Sequence, residues 1–261
     1  MTIGRREFHE GSLVVAHRGA SSTEPENTLA AFEAALRAGA DVIELDVRLT
    51  ADGVPVVLHD ADVAATTDGS GWVHEMTIDQ VKRLDAGRAA GRQEVPTLAE
   101  ALDLAADLDG AIDLEVKNLP GEPAFDSPDE SVLSAALDVV AASRFEGPLL
   151  VSSFNWVTIE RSKALAPQLP TGFLTIAAID AHAALVYVRE REHDFVLPQT
   201  PALLDAGEEF VARAHEAGVR VGTWVADDEG ILATLFGWGV DAVASNDPGL
   251  AVAARDRAAA Q

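Results

Sequence analysis

The stretch Asp41-Val42-Ile43-Glu44-Leu45-Asp46-Val47-Arg48-Leu49 decides how this chain is read. It is an apolar run broken by charge at alternate positions. In a β-strand, side chains at i and i+2 share a face, so Glu44 and Asp46 point the same way. Burying two such carboxylates costs several kcal/mol unless a cation compensates them. Val42, Ile43, Leu45 and Val47 leave no separate apolar face, which argues against a half-exposed strand with salt bridges on its outer side. Upstream, Val15-Ala16-His17-Arg18-Gly19 closes an apolar run on a histidine, and downstream Val56-Val57-Leu58-His59-Asp60 does the same. The three pieces together read as a metal site flanked by two proton-transfer groups.

Working outward, short apolar runs alternate with amphipathic stretches from end to end. The spacing predicts strands at 13–17, 41–49, 111–116, 148–152, 171–174, 194–197, 220–224 and 241–245. Helices are predicted at 28–38, 98–106, 132–142, 156–166, 181–191, 208–217, 229–238 and 250–258. Eight strand-then-helix units point to an α/β fold of the (β/α)8 TIM-barrel type rather than a doubly wound open sheet. Asn27 or Thr28 can cap the first helix and Gly39 end it. One unit is irregular. Asp52-Gly53 is a hairpin signal, the chain returns as 54–59, and residues 61–95 then form a small insertion after the second strand, with a capping box at Thr77 and Gln80. The expectation is a single barrel domain over 1–261.

Composition narrows the function. Nearly half the 261 residues are hydrophobic (48%), enough for one large core. There is no cysteine, hence no disulfide framework and no thiol nucleophile. A net charge of −24 argues against nucleic acid, which is bound through clustered Lys and Arg. It also means that an anionic ligand needs a local cationic focus. The opening stretch 1–11 is charged, and no run approaches the roughly 18 apolar residues of a membrane span. A cytoplasmic protein without stable membrane insertion is expected, while the oligomeric state is not legible.

Residues at the C-terminal ends of barrel strands share one mouth. Ile112-Asp113-Leu114-Glu115-Val116-Lys117 alternates three charged side chains onto one face of the third predicted strand. If that face is the interior, Glu44, Asp46 and Glu115 converge. An all-oxygen set suits Mg²⁺ or Ca²⁺ better than zinc. Arg18 and Lys117 would stand beside it as cationic donors of the kind a phosphate requires. Asp113 reads as a lower-layer residue paired with Lys117 or a neighbouring strand. Asp227-Asp228-Glu229 reads as a helix N-terminus. His9, His74, His182, His193 and His215 read as structural or solvated. Phe154 reads as core packing, and Trp224 either as a pocket wall or as a plug of the barrel top.

Taken jointly, His17-Arg18-Gly19, Pro25-Glu26-Asn27-Thr28, Glu44-Leu45-Asp46, His59-Asp60, Glu115-Val116-Lys117, Ser153-Phe154-Asn155 and Trp224 resemble the glycerophosphodiester phosphodiesterase family. The resemblance covers nearly the whole chain. It implies a phosphoric diester hydrolase of lipid and glycerol metabolism that uses one divalent cation, Mg²⁺ or Ca²⁺ with Mn²⁺ as a further candidate. Its substrate would be a small glycerophosphodiester, cleaved to sn-glycerol 3-phosphate and an alcohol. It implies Glu44, Asp46 and Glu115 as metal ligands, and His17 and His59 as general acid and base. Arg18, Lys117 and Trp224 would contact the substrate. Two departures stand out: Trp224-Val225-Ala226-Asp227, where the family usually has Trp-Thr-Val-Asn, and Ser245-Asn246-Asp247-Pro248 near the end.

Three other readings remain. A metal-dependent barrel lyase or isomerase would use Lys117 as its base beside an enolate, which fits two histidines and Arg18 less well. A lysophospholipase D-type enzyme calls for an exposed apolar rim or an amphipathic segment, and the sequence displays neither. A non-catalytic binding barrel is disfavoured because every expected catalytic position is filled.

Overall fold

The computed structural model of the protein describes residues 8–9, 11–87 and 90–260. Most of the charged opening stretch 1–11 lies outside the described residues, as do positions 88 and 89 of the 61–95 excursion. The strands are β1 (Leu13–Ala16), β2 (Val42–Leu49), β3 (Pro55–Val57), β4 (Ala111–Val116), β5 (Leu149–Ser153), β6 (Thr171–Thr175), β7 (Phe195–Pro198), β8 (Arg220–Thr223) and β9 (Ala242–Ser245). All but β3 run parallel, in the order β1-β2-β4-β5-β6-β7-β8-β9, and β9 pairs back onto β1 to close the barrel. This is a (β/α)8 TIM barrel. β3 lies antiparallel on the end of β2, with Val47 opposite Val57 and Leu49 opposite Pro55.

The closed barrel explains the odd composition of β2. Its odd positions, Ile43, Leu45 and Val47, are fully buried on the outer side with Phe32, Leu98, Leu102 and Leu133 of the surrounding helices. Its even positions point into the barrel, so both faces of the strand are covered. Lower in the lumen the lining is apolar, with Leu13, Val15 and Val42 on one side and Leu150, Phe195 and Leu197 on the other. The register sets Glu44 against Asp113 and Asp46 against Glu115, which brings four carboxyl groups together on two adjacent strands.

Helices α1 (Leu29–Arg37), α2 (Ile78–Val81), α3 (Leu98–Asp107), α4 (Ser131–Ala142), α5 (Trp156–Leu165), α6 (Ala181–Glu190), α7 (Thr200–Ala206), α8 (Glu208–Glu216), α9 (Glu229–Gly237) and α10 (Pro248–Ala259) complete the fold. Thr28, not Asn27, caps α1, its hydroxyl accepting from the Ala31 N–H at 3.2 Å. Asn27 is thereby free for the site. Thr97 with Glu100 and Thr77 with Gln80 form capping boxes on α3 and α2.

The structure departs from the sequence reading at several boundaries. β1 stops at Ala16, where the chain turns at Arg18 (φ +56°), and β8 stops at Thr223, with Trp224 keeping only a single bridge to Gln199, so His17 and Trp224 lie one residue beyond their strands. The returning strand keeps only three residues, and Leu58 N–H donates to the Asp46 carbonyl at 2.9 Å as the ladder ends. The helix α7 was not anticipated. It spans seven residues with proline in its first turn, too short for a periodic signal. Residues 61–95 carry two single helical turns and α2, packed around Val56, Leu58, Val63, Val73, Val81 and Val95. No helix among the described residues is long and apolar enough to cross a membrane.

Candidate active site

β2 and β4 supply the acidic centre. One oxygen from each of Glu44, Asp46 and Glu115 lies within 4.8 Å of the other two, and all three side chains are buried. Lys117, two residues beyond Glu115 on the same strand face, reaches back with Nζ 2.9 Å from Asp46 Oδ1 and donates to Glu115 Oε1. Asn27 Nδ2 donates to Asp46 Oδ2 at 2.7 Å, and the backbone N–H of Arg18 donates to Glu44 Oε2 at 2.8 Å. Arg18 also pairs with Glu26 (2.9 Å) and approaches Asp46 Oδ2 at 3.4 Å. The turn that aims Arg18 depends on Gly19, at φ +82°, where a Cβ would fall 2.6 Å from the Ala31 carbonyl carbon.

The centre is over-acidic for its one buried lysine. Burial, with Asp46 and Glu115 next in weight, pushes the Glu44 carboxyl well above the usual carboxylate range. Burial pushes Glu115 up to about 7, against the opposing pull of Lys117. Asp46 goes the other way: burial would raise it, but Lys117, His59, Arg18 and the Asn27 hydrogen bond together hold it low. Glu44 Oε1 is buried with no hydrogen-bond partner. A buried carboxylate oxygen without a partner, beside two more carboxylates, fits a divalent cation with oxygen ligands. The three residues could hold such an ion.

Two histidines face this centre. His17, just past β1, packs Nδ1 against Asn246 Oδ1 at 2.8 Å. Burial and then Arg18 lower its pKa below the ordinary 6.5. His59 follows β3 and sets Nδ1 3.3 Å from Asp60 Oδ1. Burial and then Lys117 lower its pKa as well. Arg48, on the same face of β2 as Asp46, donates from Nε to the His59 carbonyl at 2.7 Å and pairs with Glu122 at 2.8 Å. Asp113 accepts from Ser152 Oγ of β5 at 2.6 Å, so its partner is the neighbouring strand and not Lys117. Burial raises it to about 7.

Trp224 lines the lumen cavity together with His17, Glu44 and Glu115. Its indole N–H donates to the Leu197 carbonyl at 3.1 Å, and its ring meets Phe154 edge to face with centroids 5.2 Å apart. Of the other histidines, His215 pairs with Asp241 at 2.7 Å, and the buried His193 bonds Thr171 Oγ1 at 2.8 Å, both away from the mouth. Four side chains that sequence reasoning did not assign to the candidate site contact it: Asn27, Arg48, Asp227 and Asn246. Asp228 is the residue that caps α9, which releases Asp227 for other contacts.

The mouth is asymmetric. Exposed Trp72, Phe125, Trp156, Ile176 and Ile179 follow β3, β4, β5 and β6, which places them along one side of the rim. These residues were not legible as a group in the sequence, since they lie on four separate segments of the chain. The opposite arc, after β8, β9 and β1, presents Asp227, Asp228, Asn246, Glu24 and Glu26.

Known proteins resemble this chain over most of its length. Residues 17–250 match the profile of the glycerophosphoryl diester phosphodiesterase family. A glycerophosphodiester phosphodiesterase of Caldanaerobacter subterraneus subsp. tengcongensis is 35% identical, over 91% of this chain and 95% of the relative. One from Bacillus subtilis is 31% identical, over 91% of this chain and 84% of the relative. Among solved structures, an Oleispira antarctica phosphodiesterase in complex with the product sn-glycerol-3-phosphate aligns with a TM-score of 0.84 at 30% identity, covering 94% of this chain and 97% of that one. The chain belongs to the glycerophosphoryl diester phosphodiesterase family and is an enzyme of that class.

Proposed function

We propose that this protein hydrolyses glycerophosphodiesters to sn-glycerol 3-phosphate and an alcohol, with a divalent cation held by Glu44, Asp46 and Glu115. The observation that carries the reading is the buried carboxylate triad at a barrel mouth that also holds His17, His59, Arg18 and Lys117. Mg²⁺ or Ca²⁺ fits the all-oxygen donor set, and Mn²⁺ is also compatible. A bound ion would offset charge on a non-bridging phosphoryl oxygen. Arg18 and Lys117 would bind the remaining oxygens and stabilise charge that builds in the transition state. One histidine, neutral, takes the proton from the attacking hydroxyl. The other, protonated, delivers a proton to the leaving oxygen. The attacking hydroxyl belongs to water or to the glycerol neighbouring the phosphate, and detection of a cyclic phosphate by phosphorus NMR separates these two routes.

The apolar arc of the rim supports a second reading, in which the glycerol carries an acyl chain that lies across Phe125, Trp156 and Ile176. The acidic net charge suits a zwitterionic lipid better than an anionic one. Choline release from glycerophosphocholine and from lysophosphatidylcholine tests both readings. Release from the first substrate is the expected result. Release from the second, lost in Trp156→Ser while the first is kept, supports the acyl-chain reading. No release from choline, ethanolamine, glycerol or inositol glycerophosphodiesters would contradict the main proposal.

A further inference from the structure

The two departures from the family motifs, nineteen residues apart in sequence, meet in space. Asn246 Nδ2 donates to Asp227 Oδ2 at 2.6 Å. The Asn246 backbone N–H and Ser245 Oγ both donate to Asp227 Oδ1 at 2.8 Å. At its other end the Asn246 amide lies 2.8 Å from His17 Nδ1, and Ser21 Oγ lies 3.0 Å from the same amide oxygen.

Hydrogen-bond chemistry then fixes the proton on the histidine. A carboxylate only accepts, so the NH₂ end of Asn246 must face Asp227. Its oxygen therefore faces His17. An amide oxygen also only accepts, so His17 Nδ1 must carry a hydrogen. In the neutral ring this leaves the lone pair on Nε2. His59 differs, since its Nδ1 is beside the carboxylate of Asp60 at 3.3 Å rather than an amide.

We propose that Asn246 and Asp227 act together as positioning residues that hold neutral His17 in its Nδ1–H tautomer, with Nε2 left open to accept a proton from the attacking hydroxyl. The proposal rests on the reading of His17 as a proton-transfer group. Asp227 contributes orientation through Asn246 and does not touch the ring. The device needs an acceptor against the histidine and, behind it, a complementary group that fixes which end of the pair faces the ring.

Substituting Asp227→Asn tests the order with little change of shape. The new amide oxygen can keep the donors from Ser245 and the Asn246 backbone. Its NH₂ then confronts the NH₂ of Asn246, donor against donor. Asn246 must rotate, presenting NH₂ to His17, and the ring hydrogen moves to Nε2. The pair Asp227→Asn with Asn246→Asp restores an acceptor against Nδ1 and a donor behind it.

Long-range proton–nitrogen NMR of histidine-labelled, metal-free protein at about pH 8 reads the neutral tautomer directly. The expected result is Nδ1–H in the unsubstituted protein, Nε2–H in Asp227→Asn, and Nδ1–H again in the double variant. In turnover assays kcat should fall at least about tenfold in Asp227→Asn, with KM within about twofold, and recover in the double variant. An Nε2–H ring in the unsubstituted protein overturns the proposal and requires no variant to fold. Retention of both Nδ1–H and full kcat in Asp227→Asn overturns it too. Full turnover by His17→Ala would instead defeat the proton-transfer reading of His17, whatever tautomer is found.

Discussion

At the scale of single residues, Lys117 is the one buried ammonium shared by the acidic centre, ion-paired with both Asp46 and Glu115. It helps hold the Asp46 carboxyl low, while Glu44 and Glu115 keep raised proton affinity. A consequence is competition between protons and a cation. In the metal-free protein Glu115 binds a proton as the pH falls through about 7, and Glu44 likewise above its usual range. A divalent cation must displace those protons, so its affinity should weaken steadily as the pH is lowered from about 8 to about 6, with proton release on binding. Calorimetry in two buffers of different ionisation enthalpy checks this. PH-independent affinity with no proton release would contradict it. These acids were legible in the sequence because strand alternation alone puts 44 with 46 and 115 with 117. Asn246 and Asp227 were not, because their meeting depends on how the loops after β8 and β9 fold together. Asp227 also hid inside an acidic run whose cap is Asp228.

At the scale of elements, the short β3 and the loop that follows it deliver His59 to a centre built by β2 and β4. Arg48 ties these parts together, donating to the His59 carbonyl and pairing with Glu122 in the segment between β4 and α4. Arg48→Leu keeps the aliphatic stem but loses both contacts. It should lower kcat at least about tenfold while leaving cation affinity within about twofold. Steady-state kinetics with calorimetry decides, and unchanged kcat would show that His59 is held without it. The hairpin signal at Asp52-Gly53 foretold the return of the chain, yet not that only three residues would pair. α7 escaped for a similar reason, since seven residues offer less than two turns of periodicity.

At the scale of the molecule, the alternation of eight strands and helices was enough to predict the barrel, because a closed parallel sheet buries both faces of each strand and leaves that rhythm in the sequence. Barrel closure is what turns scattered motifs into one site: β1, β2 and β4 are neighbours only because β1 pairs with β2 on one side and β9 on the other. The apolar arc on the rim is a property of the assembled mouth and has no contiguous counterpart in the chain. The net charge of −24 repels anions overall, so under the proposed function a phosphodiester would rely on Arg18, Lys117 and the cation as a local positive focus.

The most direct test of the central claim is the release of sn-glycerol 3-phosphate from glycerophosphodiesters by the chelator-treated protein, before and after Mg²⁺, Ca²⁺ or Mn²⁺ is restored. The account predicts no turnover in chelator, recovery with at least one of these ions, and no recovery in Glu44→Gln. Full activity in chelator would contradict it.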